Sequence, residues 1–166
     1  MTVKQTTAAA LAAALLSVSP AQAGDFVDDR IAQNRRLIER YFEEVWNQGR
    51  LEVLDDLMHP AYRNHSPGLP DPQPGPAGLK PIVAAMRIGL PDMHYTIEDM
   101  VIAPDKVAVR VILRATHKGE LFGMAPTGRR IEVEQMQIER IEAGKIIEHW
   151  RRTDDLGLLR QLGQLP

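Results

Sequence analysis

The chain has 166 residues, a formal net charge of −2 and no cysteine. So small a charge leaves no cationic footprint for nucleic acid or anionic lipid. The length suits one domain with one core and no disulfide framework.

The first segment reads as an export signal. Lys4 gives a weakly basic start, Ala8 to Val18 form an apolar run, Pro20 breaks it, and Ala21-Gln22-Ala23 has the small-x-small form of a cleavage site. The run is too short to span a bilayer, so residues 1–23 are expected to be a secretory signal and residues 24–166 the mature single domain. A periplasmic or secreted protein follows from this, and a cleavage region without cysteine argues against a lipid anchor.

Helical patterning comes next. From Asn34 to Gln48, Leu37, Ile38, Tyr41, Phe42, Val45 and Trp46 form one apolar stripe opposite Arg36, Glu39, Arg40 and Glu43. Gly49 ends it. A short helix is expected over Leu51 to Met58, stopped by Pro60. Tyr62 to Gly78 carries Pro67, Pro70, Pro72, Pro74 and Pro76 and reads as a long loop, a common form of lid or binding loop. A third helix is expected at about Leu79 to Ile88.

Beyond Pro91 the period becomes two. Tyr95 to Ile102, Val107 to Thr116, Ile131 to Ile141 and Lys145 to Thr153 read as strands. Asp105-Lys106 and Ala143-Gly144 are turns, and Gly119 to Arg130 is a second loop. A short apolar helix, Leu156 to Leu162, closes the chain. Helices first and hairpins later imply an α+β domain, with helices against one face of a curved antiparallel sheet.

No residue pattern marks a metal site. The five histidines, His59, His65, His94, His117 and His149, form no H-x-H or H-x-x-x-H pair. Nucleophile elbow, cysteine nucleophile and glycine-rich phosphate loop are all missing, which leaves no motif for a nucleotide cofactor. A scattered acid/base set remains. Asp154 ends the last strand, near Trp150, where desolvation suits a carboxylate for proton chemistry at neutral pH. It is also placed to cap the following helix, a role for which Asp155 competes. His117 continues the apolar face of its strand, as a core histidine or as a helper in catalysis. His65 opens the proline loop and faces either a pocket or solvent. Tyr41, Trp46, Phe122 and Trp150 are the aromatic candidates for holding a ligand.

Three segments carry a family resemblance: Thr116-His-Lys-Gly-Glu-Leu-Phe-Gly-Met-Ala-Pro-Thr-Gly-Arg129, Glu139-Arg-Ile-Glu-Ala-Gly-Lys-Ile-Ile-Glu-His-Trp150 with Asp154, and Gln161-Leu-Gly163. With Leu90-Pro-Asp-Met93 they resemble the SnoaL-like polyketide cyclases, also called predicted ester cyclases, of the nuclear transport factor 2-like superfamily. The resemblance implies a cone-shaped α+β fold, a deep apolar cavity for a hydrophobic small molecule, and catalysis without a cofactor. It further implies an intramolecular aldol reaction with Asp154 as general acid/base, His117 and His65 facing the cavity, and homodimers formed through the sheet. Export sets this chain apart from cyclases that work on cytoplasmic intermediates. A non-catalytic periplasmic binding module, using the same cavity, is the alternative reading.

Overall fold

The computed structural model describes residues 20–66 and 72–165, with side chains from Phe26 onward. The expected signal, residues 1–23, lies outside these apart from the backbone of its last four residues, and so does the middle of the proline loop. The first helix, α1 (Pro20–Arg40), starts earlier than the periodicity indicates. Phe26 to Arg30 are exposed, and the first buried side chain described is that of Asn34. The Asn34 amide donates to the carbonyls of Ala103 and Pro104, at 2.9 and 3.2 Å, which ties the helix to the far end of the sheet.

The aromatic part of the expected helix is not α-helical. Tyr41–Asn47 is a π-helix, with Tyr41, Phe42, Val45 and Trp46 all buried. An i→i+5 repeat brings residues five apart onto one face. Tyr41 and Trp46 are so related, and their rings meet edge to face at 6.1 Å. Arg87 donates to the Trp46 and Asn47 carbonyls, at 2.8 and 2.9 Å, and so satisfies acceptors at the wide helix's end.

The helix expected over Leu51 to Met58 divides into a 3-10 turn, Leu51–Val53, and a single α turn, α2 (Leu54–Leu57). Met58 then opens a strand, β1 (Met58–Asn64). Pro60 therefore sits inside a strand and stops no helix. The strand lies at the sheet edge, where a residue lacking an N–H is tolerated. Pro76 begins α3 (Pro76–Gly89), at a position where its missing donor costs nothing.

Four strands follow as expected: β2 (His94–Ile102), β3 (Lys106–Thr116), β4 (Arg130–Glu142) and β5 (Lys145–Thr153). The sheet order is β1-β5-β4-β3-β2. Its inner pairs are antiparallel, but β1 runs parallel to β5, so the expected purely antiparallel sheet is corrected to a mixed one. A parallel pair needs a long crossover, and here α3 and β2 to β4 supply it. The sheet stays open, with β1 and β2 as its edges. Register shifts in β2, between β4 and β5, and along β1 are of the kind that bends a sheet.

Burial on β4 alternates along its whole length, so one face carries Ile131, Val133, Gln135, Gln137, Glu139 and Ile141 inward. The apolar ends of that face join one core with Ile38, Phe42, Leu54, Val83, Val109 and Leu113. Its polar middle includes Glu139, which lies against His149 of β5. The last helix, α4 (Asp155–Leu162), packs on β4 through Leu162.

Candidate functional site

A cavity of about 360 Å³ opens between the π-helix, α3, the loop after β3 and the inward face of β5. Tyr41 and Trp46 form one wall, and Leu79, Ile82 and Met86 of α3 another. Phe122 stands at the mouth, 60% exposed. Phe122 and Gly123 both have positive φ, 51° and 78°, and Leu121 and Met124 exchange backbone hydrogen bonds across them. That is the geometry of a tight hairpin turn. A close approach of backbones holds the loop: a Cβ on Gly119 would stand 2.1 Å from the Ile88 carbonyl oxygen. Only glycine fits there.

The polar end of the cavity comes from the two parallel strands. Asn64 ends β1, Ser66 follows it, and His149 and Arg151 come from β5. The Ser66 hydroxyl accepts from the Arg151 backbone N–H at 3.0 Å, and the His65 N–H donates to the His149 carbonyl at 2.8 Å. These contacts fix the β1 end beside β5.

Behind His149 stands Glu139. The two face each other across the β4–β5 ladder, and His149 Nδ1 lies 2.7 Å from Glu139 Oε1. The glutamate side chain is 1% exposed, and its second oxygen has no partner among the described residues. Burial pushes the Glu139 carboxyl above the usual carboxylate range, with His149 pulling the other way. The imidazole has its Nδ1 engaged, so Nε2 is the ring nitrogen left for the cavity. Burial, with Glu139 nearby, also raises the Tyr41 hydroxyl well above its ordinary range. Tyr41 therefore remains an O–H donor on the cavity wall at neutral pH.

Of the aromatic candidates, Tyr41, Trp46 and Phe122 line the cavity and Trp150 does not. It stacks on His65 at 4.6 Å and 6° on the opposite face of the sheet, with His65 Nε2 3.1 Å from Glu148. The pocket-facing expectation for His65 is thereby corrected. His117 is fully buried, with Nδ1 3.1 Å from the Thr127 hydroxyl and Nε2 unpartnered among the described residues. It is not among the cavity-lining residues, and this placement matches the core-histidine alternative. Asp154 is exposed, and its Oδ1 accepts from the Gly157 N–H at 2.9 Å. It is the cap of α4, and the expectation of a desolvated acid there is corrected. The physical reason is parity: Asp154 follows Trp150 and Arg152, which point away from the core, whereas His149 and Arg151 point into it.

Glu139, His149 and Arg151 are the residues that sequence reasoning did not place in the site. One signal for them was available. Glu139 shares its alternation with Ile131, Val133 and Ile141, and an acid on an apolar face needs a partner.

Comparison with known proteins agrees with this architecture. The profile of the SnoaL-like polyketide cyclases matches residues 36–162. Aklanonic acid methyl ester cyclase AcmA of Streptomyces galilaeus is 33% identical over 142 residues, which cover 83% of this chain and 93% of that one. Nogalonic acid methyl ester cyclase of Streptomyces nogalater is 33% identical over 121 residues, covering 72% of this chain and 90% of its own. The solved structure of TsrD from Streptomyces laurentii superposes with a TM-score of 0.74 at 31% identity, covering 81% of this chain and 97% of TsrD. Mixed sheet, helical cover and matched length thus converge, and the chain belongs to the SnoaL-like polyketide cyclase family, with a nuclear transport factor 2-like α+β fold.

Proposed function

We propose that this chain is a cyclase that closes a ring by an intramolecular aldol-type step on a hydrophobic carbonyl compound, with His149 as the acid/base. The observation that carries this reading is the Glu139–His149 pair, set into the wall of an otherwise apolar cavity. A carboxylate on one imidazole nitrogen orients the ring and stabilises its protonated form, so the other nitrogen can take a proton and return it. A C–H flanked by two carbonyls is acidic enough for such a base. The Tyr41 hydroxyl is suited to hydrogen-bond the developing enolate oxygen. An enclosing apolar wall holds a flexible chain folded for ring closure and keeps water from the enolate. Nothing in this sequence of steps calls for a cofactor. The names of the relatives, methyl ester cyclases, support the same reaction class.

Export belongs to the same proposal. Among the described side chains the first buried one is Asn34, eleven residues beyond the expected cleavage after Ala23, which supports this reading. N-terminal sequencing of the protein from periplasm or medium is expected to begin at Gly24. We also assign the outer sheet face to a homodimer contact. Val101, Met136 and Ile138 are 74%, 53% and 45% exposed there, and Ile138 pairs in register with Trp150.

The test of the reaction uses a model 1,3-diketone, 1-(2-naphthyl)butane-1,3-dione, in deuterated buffer. Proton NMR is expected to show protein-dependent loss of the methylene signal. His149→Gln is expected to cut that excess rate about 100-fold or more, whereas Asp154→Asn leaves it unchanged. Binding of the diketone with no exchange above buffer rejects catalysis in favour of a binding module. Exchange that survives His149→Gln rejects the assignment of the base.

A further inference from the structure

Arg151 is a half-buried cation on the cavity lining with no ion-pair partner among the described residues. Its side chain lines the pocket two residues beyond His149 on the same face of β5, and the residue is half-buried. Among the described residues the guanidinium makes no ion pair and no hydrogen bond, as is also true of Arg63 and Arg130, whereas three strand arginines are paired. Arg140 holds Glu148 and Glu142, Arg110 holds Asp99 and Glu134, and Arg114 holds Glu132. Those pairs lie on the outer face. Arg151 instead lines the cavity with Tyr41, Asn64, Ser66 and His149. The two acids nearest the site do not answer it. Glu139 is committed to His149 across the β4–β5 ladder. Glu120 is exposed at the mouth and makes no ion pair with Arg151.

A half-buried cation on a cavity lining, with no counter-charge among the described residues, is open to an anionic ligand. An arginine fork fits a carboxylate with two parallel hydrogen bonds. We infer that the ligand of this cavity is a hydrophobic acid, bound as its carboxylate by Arg151, with its apolar body against Trp46, Leu79 and Met86. This rests on the cavity being the binding site, as the proposed function requires, and adds the class of compound. The relatives are named for methyl ester substrates, which are neutral at that group. A neutral ester gives a guanidinium only a hydrogen-bond acceptor and no charge.

Geometry also sets where the carboxylate lies. Side chains two apart on a strand face leave the backbone about 7 Å from one another. The anionic group is therefore held beside the His149 imidazole and not at the far end of the ligand. Bound this way, the acid is oriented with its carboxylate inward and its body toward Phe122 at the mouth.

The experiment is a calorimetric titration of the full mature chain with 2-naphthoate and with methyl 2-naphthoate, repeated on Arg151→Met. Methionine keeps the apolar stem and removes the charge. Wild type is expected to bind the acid at least about tenfold tighter than the ester, as a charge-assisted pair gives. Arg151→Met is expected to lose that preference and to bind the ester as wild type does. Raising the salt concentration is expected to weaken acid binding only slightly, because a half-enclosed pair is poorly screened. Equal affinities for acid and ester in wild type, or an acid preference that survives Arg151→Met, overturn the inference while leaving the cavity as the binding site. If neither compound binds wild type, the inference fails together with the reading of the cavity. Arg151→Lys is the control for folding: it keeps the charge but not the fork, and is expected to retain part of the preference.

Discussion

Two histidine–carboxylate pairs lie back to back in this sheet, and they behave in opposite ways. On the outer face His65 meets Glu148 at 3.1 Å, and on the inner face His149 meets Glu139 at 2.7 Å. Glu148 and His149 are neighbours in the chain, so one residue of strand separates the two environments. Outside, Arg140 and then His65 hold the Glu148 carboxyl below its ordinary range. Inside, burial dominates, and Glu139 is held above it. The same two residue types thus make a solvated pair braced by Arg140 on one side and a buried pair, the one proposed as the acid/base, on the other. Desolvation decides between them, more than the partner does.

The largest break in this comparison comes from truncating the inner acid. Glu139→Ala leaves the Nδ1 of a buried imidazole without its partner and opens space beneath it. A loss of about 1–3 kcal/mol in unfolding free energy is expected, read by urea denaturation. Diketone exchange is expected to fall about tenfold or more with it, because the ring loses both its orientation and the stabilisation of its charged form. Truncation of the outer acid, Glu148→Ala, is expected to leave exchange as in wild type. Equal losses of exchange from the two variants would show that the inner pair has no special part in proton transfer.

Subtler substitutions sharpen the comparison through pH. Glu139 binds its proton more tightly folded than unfolded. Its presence therefore costs stability increasingly as pH rises from about 4.3, the unfolded value, through the higher folded value, and the cost is flat beyond that. Glu139→Gln removes this dependence, so its melting temperature relative to wild type is expected to climb with pH across that window. Glu148 has the opposite sign. Its contribution is complete above about 4.3 and disappears as pH falls through the depressed folded value. The deficit of Glu148→Gln is thus expected to shrink on acidification. Thermal melts of the three proteins at a series of pH values give both slopes, and slopes of the same sign would contradict the assignment of the two environments.

How much of this was legible in the sequence depends on whether the signal was local. The strands β2 to β5 were plain, because alternation along a strand reports burial residue by residue. The family-bearing segments gave the fold class. Three features were hidden. The π-helix shows the same apolar stripe as an α-helix over two turns, so Tyr41 to Asn47 carries no separate mark. The strand β1 is short, polar and contains Pro60, and its partner β5 lies some eighty residues away, beyond the reach of local periodicity. The third was the identity of the acid. Asp154 follows the His149-Trp150 strand, but a carboxylate's environment depends on which face it occupies. Asp154 has the parity of Trp150, and the structure puts that parity outside. Glu139 had the right parity and went unread, since its histidine partner lies on the next strand.

Asp154 itself provides the smallest test. Its carboxylate accepts from the Gly157 N–H, and a Cβ on Gly157 would stand 2.0 Å from Asp154 Oδ2, so cap and glycine are fitted to each other. Losing a side-chain cap costs about 1 kcal/mol. Asp154→Ala is expected to lower unfolding free energy by that amount, and Asp154→Asn, which still caps, by less. Neither is expected to change diketone exchange, because the exposed carboxylate has no path to the cavity. Gly157→Ala adds an independent arm. Its methyl would displace the Asp154 carboxylate, so the stability loss should match that of Asp154→Ala and should not add to it in the double variant, as for two changes that remove one interaction. A fall in exchange with Asp154→Asn at unchanged stability would return the acid/base role to Asp154, and would require the α4 end of β5 to turn inward when substrate binds.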